Sequence, residues 1–488
     1  MALNLASPGI QVREVDLTIG RVDATSGSIG ALVAPFTKGP VEEAQLIESE
    51  EDLLQTFGQP YSVDKHYEYW MVASSYLAYG GTMQVIRASD DGLKNAYVGI
   101  LTTAPLIKSG THYNQLGYDD NAITGITFAA KTPGSYANGI RVSVIDAKAD
   151  QVLTVSGIAT IGIGITQSAI GRVVAGAGGT SELDGYIKGI VTGVTTDTSA
   201  EVKVLQHVSA AGTVTNVDYA QGGVYNFDTD TPISIGGTTG NVAGMSTTSV
   251  TAARDWFELQ NIELTTKDIN GNPIKLEWDS LADAPGTSTY ATSRGGRFDE
   301  VHVVVIDDKG DITGNAGTVL EKHLSLSKAK DAEYSVGSTA YWRKYLATNS
   351  QYIYGGSAPA GITTSGFTDG TATAFGNLDA DGGWDQSADG VNFGLSGVFT
   401  GSLADGTNYG GKSDYVTSGA LTSGVAGLIS GYELFTNTEE IEVDFILMGA
   451  AHHTKFNSQA VAEKVIQVAE TRKDAVAFIS PYRQAFIN

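Results

Sequence analysis

The stretch from residue 443 to residue 480 constrains this chain most. "VDFILMG" (443–449) is an apolar run suited to a buried strand, and "DAVAFIS" (474–480) is a second. Between them, residues 458–472 place Val461, Val465, Val468 and Ala469 on one helical stripe. Two buried strands joined by a helix form a βαβ unit, which predicts parallel strands and a right-handed crossover. A parallel sheet must be covered on both faces, so this end of the chain needs further layers.

The other end supplies the same grammar. "IGALVAPF" (29–36) reads as a buried strand, and "GPVEEAQLI" (39–47) leads into a second short one. "SEEDLLQTFG" (49–58) reads as a short helix, with Ser49 as N-cap, acids at 50–52 against the positive end of the dipole and Gly58 closing it. A longer helix fits "VDKHYEYWMVASSYLAYGG", with Tyr67, Trp70, Met71, Ser74 and Leu77–Ala78 as its buried stripe. "MQVIRAS" (83–89) is the strand that follows, and residues 417–437 read as another helix feeding the C-terminal strands.

The middle of the chain is different. From about 99 to 295 it is rich in Thr, Gly, Val and Ala, with alternating strands at 139–147, 189–196 and 200–210 and almost no helical periodicity. "FDEVHVVVID" and "STAYWRKYLATNS" return to α/β, and 357–411 is a Gly/Thr/Asp-rich loop region. The expected fold class is therefore a mixed α/β, multi-domain chain: a discontinuous α/β base domain carrying inserted β-rich domains. The boundaries are an extended arm at 1–22, a base from 23–98 and 390–488, an outward-facing β-rich insert at 99–295, and a second α/β insert at 296–389. At 488 residues, several domains are required.

Composition removes whole classes of function. The net charge of −24 opposes a nucleic-acid or anionic-membrane partner, and neither is expected. With no cysteine there is no disulfide, thiolate metal site or thiol catalysis. No stretch reaches the roughly 20 apolar residues a membrane-spanning helix needs. Residues 1–20, interrupted by Arg13, Glu14 and Asp16, do not read as a signal peptide, so a protein that is soluble and not exported by a cleaved signal is expected.

Sites of chemistry are sparse. Asn377, Asp379, Asp381 and Asp385 resemble the start of a calcium loop, but Ala388 stands where the bidentate Glu belongs, and a solvated Asp/Gly loop is the simpler reading. "DINGN" (268–272) reads as a hairpin turn through Asn270–Gly271. His452–His453 follows a strand of the parallel type, where ligand sites lie, yet no third ligand stands at metal spacing; a packing or interface pair is the plainer alternative. Gly162 and Gly164 lack the rest of a dinucleotide fingerprint. The aromatic run from Tyr67 to Tyr79 is core before it is a carbohydrate platform. No metal site, no cofactor and no enzyme is expected.

What remains points to assembly. "ASPGIQVREVDL" (6–17) alternates as a half-buried strand, with Ile10, Val12, Val15 and Leu17 as apolar positions, and a Gly/Ser/Thr-rich stretch rather than a hairpin partner follows. Arg472, Lys473 and Arg483 form a small basic excess near the end of an acidic chain, either facing an acidic partner or capping a helix dipole.

Several segments carry a family resemblance. "SPGIQVREVD", "GALVAPFTKGPVEEAQLIESEEDLLQTFGQP", "YWMVASSYLAYGGTMQVIRA", "TPGSYANGIRVSV" and "VIQVAETRKDAVAFISPYR" resemble corresponding stretches of contractile-tail phage sheath proteins of the T-even and cyanophage type. The resemblance covers about 1–90 and 410–488 and fades between them. It implies a virion structural subunit, assembled in the host cytoplasm, that polymerises with copies of itself around the inner tail tube. Baseplate and tail terminator are the further partners it implies. Contraction between two subunit packings would drive the tube through the host envelope. It also implies that residues 6–17 are an inter-subunit arm, adding a strand to a neighbour's sheet. The family has a further C-terminal region after the "FISP" strand, which this sequence, ending at Asn488, does not contain; alone, the chain is expected to be a monomer or weak oligomer. The sheath of a bacterial contractile injection system is the alternative. A carbohydrate-processing tail enzyme would need a carboxylate pair, and a surface-array protein would need a signal peptide.

Overall fold

The computed structural model describes residues 28–100, 103–146, 148–149, 151–156, 173–177, 185–217, 225–229, 231–235, 242–252, 255–359, 384–391, 393 and 397–482. The protein is mixed α/β with several sheets. Its contacts divide it into two units, Met1–Asp91 with Tyr415–Asn488, and Gly92–Asp414.

The first unit is built on strands β1 (Ile29–Ala34), β2 (Ala44–Ile47) and β3 (Thr82–Arg87), with helices α1 (Glu50–Phe57) and α2 (His66–Ala78) between β2 and β3. The returning chain adds α3 (Val425–Leu434), β4 (Phe445–Leu447), α4 (Lys455–Arg472) and β5 (Val476–Phe478). The strands form one sheet in the order β2-β3-β1-β4-β5. β1 runs parallel to β3 and to β4, β4 runs parallel to β5, and β2 is antiparallel to β3. Both ends of the chain thus meet at the β1–β4 pair, with Gly30 beside Phe445.

Local chemistry fixes these elements. Ser49 accepts the Asp52 amide at 3.1 Å, and Gly58 closes α1 at φ 85°, its amide bonded to the Leu54 carbonyl. A Cβ at Gly58 would stand 2.1 Å from Thr37 Oγ1, so both conformation and space demand glycine. One sheet face packs on α1 and α2 through Leu32, Phe36, Leu53, Phe57, Trp70 and Val85. On the other face, Gly431 lets α3 close on Val33, and the Tyr432 hydroxyl donates to the Leu447 carbonyl at 2.7 Å. Arg87, fully buried, donates to the carbonyls of Gly39 and Thr37 and so pins the turn between β1 and β2.

The stripe expected on α2 is corrected. His66, Tyr69, Trp70, Ala73, Ser74 and Leu77 are buried, whereas Tyr67 and Met71 face outward, 41% and 51% exposed. The helix is apolar on several sides, so periodicity permits either face. Packing selects the one where Ala73 is small enough for close approach and Trp70 Nε1 reaches the Gly58 carbonyl at 3.1 Å. The helix expected over 417–437 is also shorter, at Val425–Leu434.

In the second unit, Ile140–Ile145 pairs with both Glu300–Asp307 and Val398–Ser402 in an antiparallel sheet whose outer strand is Thr318–Ser327. These strands come from stretches that composition assigns to the first insert, the second insert and the base. Here they share one sheet, because pairing across long loops leaves no mark on composition. A further sheet joins Gln151–Ser156, Ser199–Ser209, Gly185–Thr196, Val173–Ala177, Pro232–Ile235 and Val242–Ala252. Ser199–Ser209 pairs with both Gln151–Ser156 and Gly185–Thr196, so the pairing closes on itself, around a core that includes Leu153, Val191, Val202 and Val204. Closure leaves few bare edges for unwanted pairing.

Candidate assembly surface

The first place to look for chemistry is the crevice where β1 and β4 end. From these adjacent parallel strands the chain departs in opposite directions, toward β3 and toward β5, and ligands in α/β sheets sit at such divergences. A shallow cleft, with room for little more than a water molecule, lies there, lined by Pro35, Asp64, Lys65, Tyr69, Thr422 and His452 among others. Lys65, Asp64 and His453 are turned onto the backbone or onto a neighbouring hydroxyl, while both ring nitrogens of His452 are buried without a hydrogen-bond partner. Lys65 Nζ donates to the Ala451 carbonyl at 3.3 Å, the Asp64 carboxylate accepts the Gly419 amide, and His453 Nε2 lies 3.4 Å from Thr422 Oγ1. Burial holds His452 below its ordinary pKa, which keeps it neutral. Among the described residues no group of three His, Asp or Glu is placed to hold a metal. The arrangement fixes three loops and presents no nucleophile with its base.

The other sequence candidates are placed as follows. Asn377, Asp379 and Asp381 lie outside the described residues, as do Gly162 and Gly164. Asp385 accepts the Tyr341 hydroxyl at 2.5 Å and Trp342 Nε1 at 3.2 Å, and pairs with Arg343 at 3.0 Å, an internal network. The arm residues Ile10, Val12, Val15 and Leu17, and Arg483, also lie outside the described residues. Arg472 is turned inward: its guanidinium donates to the Phe435 carbonyl and to both oxygens of Asp474. Lys473 caps α4 in the left-handed region at φ 65°, with its amide on the Ala469 carbonyl.

The surface feature that stands out in the first unit is apolar. β5 ends the sheet, paired on one side only among the described residues. Register places Val476 beside Phe445 and Phe478 beside Leu447, so these four side chains share one face. It is the face α2 covers: the Tyr76 ring meets Phe445 edge-on at 6.4 Å, and Phe445 meets Phe478 at 5.7 Å. Cover stops there. Val476 and Phe478 are 56% and 51% exposed, while Ile446 faces the opposite, buried side. Away from the sheet, α2 shows solvent a second stripe of Tyr67, Met71, Ser75 and Ala78, continued by Tyr79. The sequence signal was present in the all-round apolarity of α2 and in the alternation of Val476 and Phe478 about Ala477.

Comparison with known proteins finds tail sheath proteins of bacteriophages. No family model matches the sequence. The tail sheath protein of Enterobacteria phage T4 is 36% identical over 95 residues, 19% of this chain and 14% of that protein. That of Salmonella phage ViI is 24% identical over 395 residues, 78% of this chain and 52% of the relative. That of Vibrio phage KVP40 is 33% identical over 88 residues, 18% and 13% of the two chains. The chain thus spans about half the length, or less, of these relatives. Among solved structures, a sheath tail protein from Listeria innocua is 13% identical, with a TM-score of 0.16 over 46% of this chain and 34% of that one, too little overlap to carry an argument about the fold. By sequence, the chain is similar to the tail sheath proteins of these bacteriophages.

Proposed function

We propose that this protein is a structural subunit of a contractile tail sheath, whose copies polymerise around an inner tail tube and, on a signal from the baseplate, repack and drive the tube through the host envelope. The kinship with phage sheath proteins, one match spanning 78% of the chain, carries this reading. In it, subunits assemble in the host cytoplasm, the finished sheath ends at a tail terminator, and no catalytic group is required. Residues 6–17 serve as the arm, adding a strand to a sheet of a neighbouring copy. Lys473 and Arg483 are the basic residues left to face an acidic tube or other partner, Arg472 being engaged with Asp474. Antibody raised against the purified chain and applied to native particles tests the reading. Label along a striated tail wall supports it, and label on an unstriated lattice or a short fibre overturns it. A bacterial injection-system sheath would label the same way but on particles that carry no genome-filled head.

A further inference from the structure

We propose that Asn270 is a site of spontaneous covalent modification, at which the side-chain amide is lost as ammonia and the backbone is rewritten through a succinimide. The Asn–Gly dipeptide occurs twice in this sequence, at Asn138–Gly139 and at Asn270–Gly271. The chemistry favours that pair. The backbone nitrogen of the following residue attacks the asparagine Cγ, and glycine has no side chain to hinder the approach. The ring closes as the bond from Cγ to the side-chain nitrogen breaks, and ammonia leaves with the proton of the attacking amide. Water then opens the ring at either carbonyl, giving aspartate, or isoaspartate in which the chain runs through the side chain. Water is the sole co-reactant, and no catalytic group takes part.

The structure separates the two copies of the dipeptide. Asn138 Nδ2 donates to the Gly406 carbonyl at 2.9 Å, its Oδ1 accepts the Gly406 amide at 2.8 Å, and Gly139 is buried. Both ends of that side-chain amide are held, so its Cγ is not free to turn toward the Gly139 nitrogen. Asn270 instead stands at the tip of the hairpin formed by Asn261–Lys267 and Pro273–Glu277, where residues 268–273 are all exposed and Ile269 is 100% so. A Cβ at Gly271 would meet nothing within 4 Å. The turn at rest keeps the Gly271 amide on the Asp268 carbonyl at 3.0 Å, so the ring closes when the turn opens. Exposed turns open at little free-energy cost, whereas a buried segment opens at a cost approaching that of global unfolding. The base of the hairpin stays in place, because Ile262, Leu264 and Trp278 pack with Val304 and Ile306. The new carboxylate at position 270 arises beside that of Asp268, which accepts the amides of Asn270 and Asn272. Like charge, and in isoaspartate an added backbone methylene, both loosen the tip. This inference stands apart from the sheath reading, since the reaction needs only the folded chain and water.

The test holds the full-length chain in warm, mildly alkaline buffer, folded in one sample and in urea in another, and follows each Asn–Gly peptide by mass spectrometry. In the folded chain Asn270 should convert at least tenfold faster than Asn138, with aspartate and isoaspartate both formed. In urea the two positions should convert at similar rates. Asn270→Gln lengthens the side chain and disfavours ring closure, so it should abolish conversion at this position while leaving the circular-dichroism spectrum unchanged. Asn270 intact in the folded chain while it converts in urea, Asn138 keeping pace with Asn270 in the folded chain, or aspartate formed without isoaspartate would each overturn the proposal.

Discussion

Lys328 and Asp146 lie 2.8 and 2.9 Å apart at 0% and 1% side-chain exposure, at one end of the four-stranded sheet of the second unit. Burial pulls the Lys328 ammonium below its ordinary pKa while Asp146 pushes it back. Removing one partner leaves an uncompensated buried charge. Lys328→Met should therefore cost about 3–5 kcal/mol in urea unfolding, and the double change with Asp146→Leu should recover most of it. A double variant as unstable as the single would contradict this account. His66 makes a second, pH-dependent case. It is fully buried against Phe36, and burial, with Arg87 adding to it, lowers its pKa to about 4. The unfolded chain takes up that proton near pH 6.5 while the folded one refuses it until about 4, so the contribution of His66 to stability is constant above 6.5 and falls as pH drops from 6.5 toward 4. The loss should approach about 3 kcal/mol, and His66→Gln should flatten that slope in denaturation curves measured between pH 7 and 4.

Helix α1 shows how far element-level reading reaches. Ser49, the acidic first turn and Gly58 are local signals and the structure uses each of them. Ser49→Ala should cost about 1 kcal/mol of stability. Gly58→Ala should cost more, because the added Cβ meets Thr37 at a positive φ; equal midpoints for the two variants would mean the cap geometry is wrong. The turn at Asn270–Gly271 is equally legible: Gly271 sits at φ 85°, and the Asp268 carboxylate accepts the amides of Asn270 and Asn272, each at 2.8 Å. Legibility fails where the deciding partner is remote. The buried face of α2 is set by the sheet rather than by its own periodicity. Val398–Ser402, inside a Gly/Thr/Asp-rich stretch, is a strand because Ile140–Ile145 offers it an edge. The closure of Ser199–Ser209 between two partners is likewise invisible in alternation alone.

At the scale of the whole molecule, the two chain ends build one sheet around β1 and β4, and the long stretch between them forms a unit of its own. The candidate site was half legible. The resemblance to sheath proteins and the expectation of an arm at 6–17 come from residues near the start of the sequence, whereas the apolar face of β4 and β5 exists only once strands from both ends are registered. Deleting residues 1–20 should leave both units folded by circular dichroism, since every strand described begins at Ile29 or later, yet abolish incorporation of the protein into particles. Undiminished incorporation would remove the arm from the account. The central claim, that the chain is a sheath subunit, meets its most direct test in cryo-electron microscopy of the native particle. A striated wall around an inner tube is expected, in whose density both units of this chain fit. A tail in which this chain occupies no part of such a wall would contradict it.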